Sequence, residues 1–158
     1  MKIAVGSDDV GFELKTLVSE FLKSQGHEVD DFGPPTPEPV DYPDVAEKLA
    51  VAVGEGKYTR GILICGTGIG MAIVANKVPG VRAAQAHDVY SAERARKSNA
   101  AQILTMGARV IGPELAKMIV KAWLDSEFTG GGSARKVDKI NRIDERFRHR
   151  GEVFNRGG

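Results

Sequence analysis

A single cysteine followed at once by a glycine-rich turn is the feature of this sequence best suited to chemistry. The run is Cys65-Gly66-Thr67-Gly68-Ile69-Gly70, in which three glycines alternate with larger residues. Glycines at this spacing let the backbone approach a ligand closely and point several N–H groups in one direction. A helix beginning at the turn would direct the partial positive charge of its N-terminus toward a bound anion. The run therefore predicts a cradle for a phosphate or a developing oxyanion.

Cys65 has two interpretations. In the first it is a small buried hydrophobic residue at the end of a core strand. In the second, nearby N–H dipoles favour its thiolate, which could act as a nucleophile or as a base. As a base it would remove a proton from a carbon next to a carbonyl, and the same N–H groups would stabilise the enediolate. Because no Cys-His-Asn protease context accompanies it, hydrolysis by a nucleophilic cysteine is the weaker alternative.

Four other side chains could contribute to a site. Asp8 and Asp9 follow the first apolar run and could cap a helix or bind sugar hydroxyls. His87 follows the fourth apolar run, where a ligand would lie. Arg109 follows the fifth, and it could pair with a phosphate or form a surface salt bridge.

Short apolar runs alternate with amphipathic segments along the chain, which is typical of an α/β protein. We predict strands at 3–5, 27–32, 61–65, 81–84 and 102–106, and helices at 11–24, 42–54, 70–76, 89–98, 113–125 and 134–148. The pattern predicts a doubly wound, Rossmann-like sheet of five parallel strands, with helices on both faces and a C-terminal helical extension. The strand at 61–65 is the most apolar and should be central. Residues 1–150 should form one domain and 151–158 a flexible tail.

Ligands of such sheets bind at the carboxyl ends of the strands. Cys65 ends a predicted strand, and Asp8, His87 and Arg109 follow predicted strands, so we expect all four at one edge.

Composition narrows the class of protein. The net charge is +1 over 158 residues, which does not favour a nucleic-acid partner. The charged segment 134–148 contains acidic residues as well, so a solvated or dimer-contacting helix is the better interpretation. One cysteine excludes an intramolecular disulfide, and we expect no metal site. We find neither a signal-peptide core nor an apolar run long enough for a membrane span, and we expect a cytoplasmic protein.

The chain strongly resembles the type B ribose-5-phosphate isomerase family, which includes the galactose-6-phosphate isomerase subunits. The similarity covers residues 1–147. The segments that carry it are 6–15, 41–43, 61–70, 75–77, 90–92, 107–112 and 114–116. The resemblance implies a doubly wound fold, no cofactor, and a homodimer or dimer of dimers with active sites shared between subunits.

The resemblance also implies roles for individual residues. Cys65 would be the proton-transfer base, and residues 66–70 would hold the enediolate. Asp8 and Asn99 would contact substrate hydroxyls. Thr67 would assist with oxygen-bound protons, and Arg109 would contribute to the anion site.

Three features depart from the family pattern, and the third of them is a pair of positions. Asp9 stands where many members have a phosphate-contacting histidine, and Ser98 stands where they have the ring-opening histidine. Of an arginine pair near the last helix, one member is Gly132 and the other Lys136. The phosphate would then be held differently, by a set that includes Arg135, Lys136 and His87.

Ser98 bears on the substrate, because its hydroxyl does not titrate near neutrality and cannot replace a histidine as an acid–base catalyst. A four-carbon 4-phosphate cannot close a furanose ring and needs no ring opening. We therefore hypothesise a tetrose phosphate substrate, erythrulose 4-phosphate to erythrose 4-phosphate; residues 86–94 also resemble the family branch linked to erythritol breakdown. The alternatives are a ribose-5-phosphate isomerase of the pentose phosphate pathway, with His87 opening the ring, and a non-catalytic sugar-phosphate sensor.

Overall fold

The structure is a computed structural model that describes residues 1–148. Strands and helices alternate along the chain. They are β1 (Lys2–Ser7), α1 (Phe12–Ser24), β2 (Glu28–Asp31), α2 (Tyr42–Gly54), β3 (Arg60–Cys65), α3 (Ile69–Ala75), β4 (Ala83–Gln85), α4 (Val89–Asn99), β5 (Ile103–Gly107), α5 (Pro113–Leu124), a single 3₁₀ turn (Gly131–Ser133) and α6 (Ala134–Arg148). The predicted tail, residues 151–158, lies outside the described residues. The expectation that the domain ends at residue 150 therefore stays a prediction.

The five strands form one parallel sheet in the order β2-β1-β3-β5-β4. The predicted fold class is confirmed, and β3 is the central strand, as its apolar composition indicated. The chain moves outward from β1 to β2 and then returns to the other side of β1 with β3. The carboxyl ends of β1 and β3 therefore flank a topological switch point, the place where sheets of this kind bind ligands.

Two apolar cores cover the two faces of the sheet. Because side chains alternate along a strand, Ile62 and Ile64 of β3 point into one core, which also contains residues of α1, α4 and α5. Leu63 and Cys65 point into the other, with residues of α2 and α3. Cys65 thus lies on the α2–α3 face, at the last position of the central strand.

Most predicted boundaries differ from the structure by one or two residues, and two of these differences have a clear local cause. We expected β4 to begin at Val81, but it begins at Ala83. Val81 lies in the turn that precedes the strand, where it is buried and its N–H donates to Val78 O. The sequence pattern predicts a strand there because it detects an apolar, buried residue and does not detect whether that residue pairs with a neighbouring strand. We expected α3 to begin at Gly70, whereas it begins at Ile69. Gly68 has a φ of 78°, and its left-handed conformation marks the end of the turn.

The amino edge of the sheet is closed by two arginines. The buried Arg60 donates to Trp123 O at 2.7 Å and to Ser126 O at 3.0 Å, and burial lowers the pKa of this guanidinium to about 10. Arg82 donates to Asn99 O at 3.1 Å and to Asn141 Oδ1 at 2.8 Å, which fastens α6 to the end of α4. Because these bonds cover the amino edge of the sheet, we call the carboxyl edge the open edge.

No helix within residues 1–148 has the length and apolar character needed to cross a membrane.

Candidate active site

The turn after β3 depends on glycine at two positions. A Cβ placed on Gly68 would lie 2.8 Å from the backbone N of Met106, and the φ of 78° adds strain for any side chain. A Cβ placed on Gly107 would lie 2.5 Å from Thr67 Cα. The turn is therefore pressed directly against the backbone of β5, an approach that only glycine at these two positions allows.

Cys65 lies under this turn, where 5% of its surface is exposed. Its Sγ accepts a hydrogen bond from Gly68 N at 3.1 Å. An amide N–H directed at sulfur stabilises a thiolate more than a thiol, because the interaction with a full negative charge is stronger. Cys65 thus packs in a core, as the first interpretation expects, and it also has the N–H partner that the second one requires; its role as a base stays a prediction.

Two amides of the turn donate to side chains of residues 65 and 67, and the role of residues 66–70 as a cradle for the enediolate stays a prediction. The Gly68 N–H is directed at Cys65 Sγ, and the Ile69 N–H donates to Thr67 Oγ1 at 3.2 Å. The Thr67 hydroxyl is in turn exposed at the open edge. The turn therefore orients the side chains of Cys65 and Thr67 as well as offering its own N–H groups.

Asp8 lies at the end of β1, on the neighbouring strand. Its N–H donates to Ile64 O at 3.3 Å, and its Oδ1 accepts a hydrogen bond from Gly11 N at 2.9 Å. Burial raises the pKa of the Asp8 carboxyl above its usual value, the bond from Gly11 opposes that rise, and the nearby Asp9 carboxylate adds to it. A partly buried carboxylate held in this way has lone pairs left for substrate hydroxyls.

Arg109 and His87 approach the turn from β5 and β4. Arg109 N donates to Gly66 O at 3.1 Å, and its Nη1 lies 3.8 Å from the position of a Cβ placed on Gly66, so the guanidinium lies over the turn. His87 Nε2 accepts a hydrogen bond from Gly107 N at 2.9 Å. That bond requires an unprotonated Nε2, so in the neutral ring the proton is on Nδ1, the nitrogen left for a ligand.

Three further side chains at this edge were not predicted from the sequence. The Tyr42 ring lies on Gly70, where a Cβ would be 2.4 Å from Tyr42 Cε2. Gln85 Nε2 donates to Thr67 O at 2.7 Å, and Thr105 Oγ1 donates to Gly68 O at 2.8 Å. Tyr42 was within reach of sequence reasoning, because it belongs to the segment 41–43 that carries the family resemblance. Gln85 and Thr105 donate hydrogen bonds to backbone carbonyl oxygens, and no sequence pattern identifies side chains with such partners.

The other predicted site residues lie elsewhere in the chain. Ser98 and Asn99 are at the end of α4, which starts at the carboxyl edge and returns over 11 residues, or about 16 Å, to the amino edge. Arg135 and Lys136 are exposed at the start of α6, the helix fastened to that end of α4. One chain therefore contains two separated groups of candidate residues, one at each edge.

Comparison with known proteins is consistent with this geometry. A model of the family described as Ribose/Galactose Isomerase matches residues 3–140. The chain belongs to this family. The expected resemblance is confirmed, and with it the prediction of an isomerase.

Individual relatives cover nearly the whole chain. The D-erythrulose-4-phosphate isomerase of Pectobacterium atrosepticum is 57% identical over 150 residues, which are 94% of this chain and 99% of the relative. The ribose-5-P isomerase B of Listeria innocua is 58% identical over 148 residues, which are 94% of this chain and 100% of the relative. The structure of ribose-5-phosphate isomerase B from Clostridium thermocellum superimposes with a TM-score of 0.91 at 50% identity, covering 93% of this chain and 99% of that one. Identity alone therefore does not separate a four-carbon from a five-carbon substrate.

The raised pKa of Asp8 leads to a prediction about both the stability and the activity of an Asp8 variant. Because its pKa is raised in the folded state, the protonated carboxyl stabilises the fold at pH values below the unfolded pKa, and this contribution is lost as the pH rises through the folded pKa. The substitution Asp8→Asn keeps an oxygen that can accept the hydrogen bond from Gly11 N and removes the negative charge of the carboxylate. At pH 7 the variant should be at least as stable as the unaltered protein in urea unfolding, while kcat/KM for the sugar phosphate falls by about tenfold or more.

A matched control is Asp138→Asn, which removes an exposed ion pair with Arg142. It should change the free energy of unfolding by less than about 0.5 kcal/mol and leave turnover intact. An Asp8→Asn variant that is clearly less stable at pH 7 would contradict this account of Asp8.

Proposed function

We propose that this protein is a cofactor-independent aldose–ketose isomerase of the cytoplasm whose preferred substrate is a tetrose phosphate, converting erythrulose 4-phosphate to erythrose 4-phosphate. The observation that carries the isomerase chemistry is the Cys65 sulfur held by the Gly68 N–H at the open edge of the sheet. Asp8 on the adjacent strand and Arg109 over the turn supply a hydroxyl acceptor and a cation beside it. The substrate preference rests on Ser98 and on the erythrulose-4-phosphate isomerase relative.

In the proposed reaction the Cys65 thiolate takes the proton from the hydroxymethyl carbon next to the ketone. The electron pair of that C–H bond forms the C=C bond of a cis-enediolate, and the carbonyl oxygen becomes an oxyanion. N–H groups of the turn that are not directed at sulfur or at Thr67 stabilise this charge. The Cys65 thiol then returns the proton to the former carbonyl carbon, and the Thr67 hydroxyl relays the proton that moves between the two oxygens.

Ser98 supports the four-carbon substrate because a pentose 5-phosphate must first be opened. Ring opening needs a group that gives a proton to the ring oxygen and takes one from the anomeric hydroxyl. A serine hydroxyl does not titrate near neutral pH, so it cannot replace a histidine as the acid–base catalyst of this step. Erythrose 4-phosphate has its C4 oxygen blocked by the phosphate, so it reaches the site with its carbonyl available.

A second candidate, ribose 5-phosphate, is favoured by the Listeria innocua relative and by His87. His87 lies at the same edge as Cys65, and its Nδ1 is available to a ligand. Its Nε2 is occupied by Gly107 N, however, so only one ring nitrogen could take part in opening a furanose. For this reason we rank the pentose below the tetrose.

We further propose that the active unit is a homodimer, or a dimer of dimers, in which each site combines residues of two chains. Cys65, Asp8 and Arg109 lie at one edge of the chain, whereas Ser98, Asn99, Arg135 and Lys136 lie about one helix length away. A second chain that brings its α4–α6 end to the open edge would complete the site and its phosphate-binding cations. Apolar side chains are exposed around that edge, as an interface requires. They include Ile69 at 53%, Ile73 at 55% and Tyr90 at 72% exposure.

The first test of this proposal is Cys65→Ala. Removing the base should lower kcat by about 100- to 10,000-fold, because this is the range that general acid–base catalysis contributes. Binding of the sugar phosphate, measured by calorimetry, should be little changed. In D₂O the unaltered protein should place deuterium on the substrate carbon, and the variant should not.

Two outcomes would contradict the mechanism. Persistent turnover by Cys65→Ala would place the base elsewhere, with Asp8 or Asp9 the next candidates. Binding of sugar phosphates by the unaltered protein without any hydrogen exchange would indicate a sensor.

The substrate preference is tested with sugar phosphates of four, five and six carbons. The unaltered protein should show its highest kcat/KM on erythrulose 4-phosphate. Ser98→His restores a group that can open a ring, so it should raise kcat/KM on ribose 5-phosphate by about tenfold or more and leave the tetrose phosphate reaction little changed. If the unaltered protein uses ribose 5-phosphate best, the tetrose assignment is wrong.

Sharing of sites between chains is tested by mixing two inactive variants, Cys65→Ala and Asn99→Ala. After random exchange of subunits half of the dimers are hybrids, and each hybrid has one site free of both changes. Activity should therefore recover to about a quarter of the value of the unaltered protein. Failure to recover, with subunit exchange verified by mass spectrometry, would mean that each site lies within one chain.

A further inference from the structure

The peptide group between Thr67 and Gly68 is held from both sides. Its N–H donates to Cys65 Sγ at 3.1 Å, and its C=O accepts a hydrogen bond from Gln85 Nε2 at 2.7 Å. In a trans peptide the C=O and N–H point in opposite directions, so the carboxamide and the sulfur lie on opposite sides of one planar group. A bond to the carbonyl oxygen polarises the amide and strengthens its N–H as a donor.

This peptide needs an external support because it is flanked by glycine. Rotation of this peptide changes ψ of Thr67 and φ of Gly68, and because glycine populates positive and negative φ about equally, the Gly68 side resists it only weakly. A rotated peptide would direct a carbonyl oxygen toward the sulfur and disfavour the thiolate. The donor from Gln85 holds the carbonyl on the far side.

A second side chain holds the next peptide in the same way. Thr105 is buried, and its Oγ1 donates to Gly68 O at 2.8 Å. Gln85 and Thr105 are register partners on the neighbouring strands β4 and β5. Two successive carbonyls of the turn are thus fixed by a pair of side chains that the sheet itself places together.

We infer that Gln85 is a positioning residue for Cys65, which maintains the Gly68 N–H on the sulfur and so sustains the thiolate that the proposed isomerase reaction requires. Gln85 acts through the backbone and has no contact with the reacting carbon in this role. The inference rests on the proposed function only for its effect on turnover. Its effect on the thiolate can be measured without any substrate.

The experiment uses Gln85→Met, which keeps the length of the side chain and removes its donor. Cys65 is the only cysteine in the sequence, so the absorbance of a thiolate near 240 nm as a function of pH reports this residue alone once Cys65→Ser is subtracted as a blank. Loss of the donor should move the midpoint of that titration to higher pH by about one unit, which corresponds to about tenfold less thiolate below the midpoint. The variant should show a similar fall in kcat at pH 7 and little change in KM.

The matched control is Gln102→Met. Gln102 Nε2 also donates to a backbone carbonyl, Gly80 O at 2.9 Å, but at the amino edge of the sheet. Because Gln102 Oε1 also accepts a hydrogen bond from Arg82 N at 2.7 Å, this control is used for the titration midpoint, which should be unchanged. Because the Gln85 side chain is exposed, Gln85→Met should remain folded, and circular dichroism verifies this. Gln85→Ala, which also lacks the donor, should give the same midpoint as Gln85→Met.

The outcomes separate this inference from the proposed function. An unchanged midpoint in both Gln85 variants, or an equal shift in Gln102→Met, would overturn the inference. A shifted midpoint with unchanged kcat would overturn the link between the thiolate and turnover. If no sugar phosphate is isomerised by the unaltered protein, the proposed function fails, and the titration still decides the role of Gln85.

Discussion

The hydrogen bond from Gly68 N to Cys65 Sγ is the interaction on which the rest of the site depends. It forms because Gly68 adopts a left-handed conformation and lies against the backbone of Met106, where no side chain fits. The bond gives the buried sulfur a polar partner, which a purely apolar core would not supply. The parallel sheet supplies this geometry, since it ends β3 and β5 at the same edge and places Gly107 under the turn.

The same topology also separates the candidate residues. In a parallel α/β fold each crossover helix carries the chain from the carboxyl edge back to the amino edge. Residues at the end of α4 are therefore distant from those at the end of β3, although the family resemblance gives both groups a place in the site. A site built from both groups needs a second chain, and the apolar side chains exposed near the turn fit this requirement.

Sequence reasoning was sufficient for the sheet, its central strand and the edge at which Asp8, Cys65, His87 and Arg109 meet. These follow from apolar periodicity and from the rule that parallel strands end at a common edge. It did not identify Gln85 or Thr105, because their partners are carbonyl oxygens of the turn, and a backbone partner leaves no mark in a sequence pattern. The orientation of individual N–H groups was likewise out of reach, since alternating glycines allow several backbone conformations.

The division of the chain into two edges suggests how one family can serve several sugar phosphates. Proton transfer concerns two adjacent carbons that every aldose and ketose possesses, and the residues that we propose for it, Cys65 and Thr67, belong to the central strand and its turn. Ring opening and phosphate binding depend on the size of the sugar, and two of the three departures, Ser98 and Gly132, lie in the α4–α6 part of the chain. Substitutions there can alter the accepted substrate without disturbing the packing of Gly68 on β5. The proposed proton-transfer residues and the residues that depart from the family pattern in this part of the chain are thus physically separable, because different elements of the fold hold them.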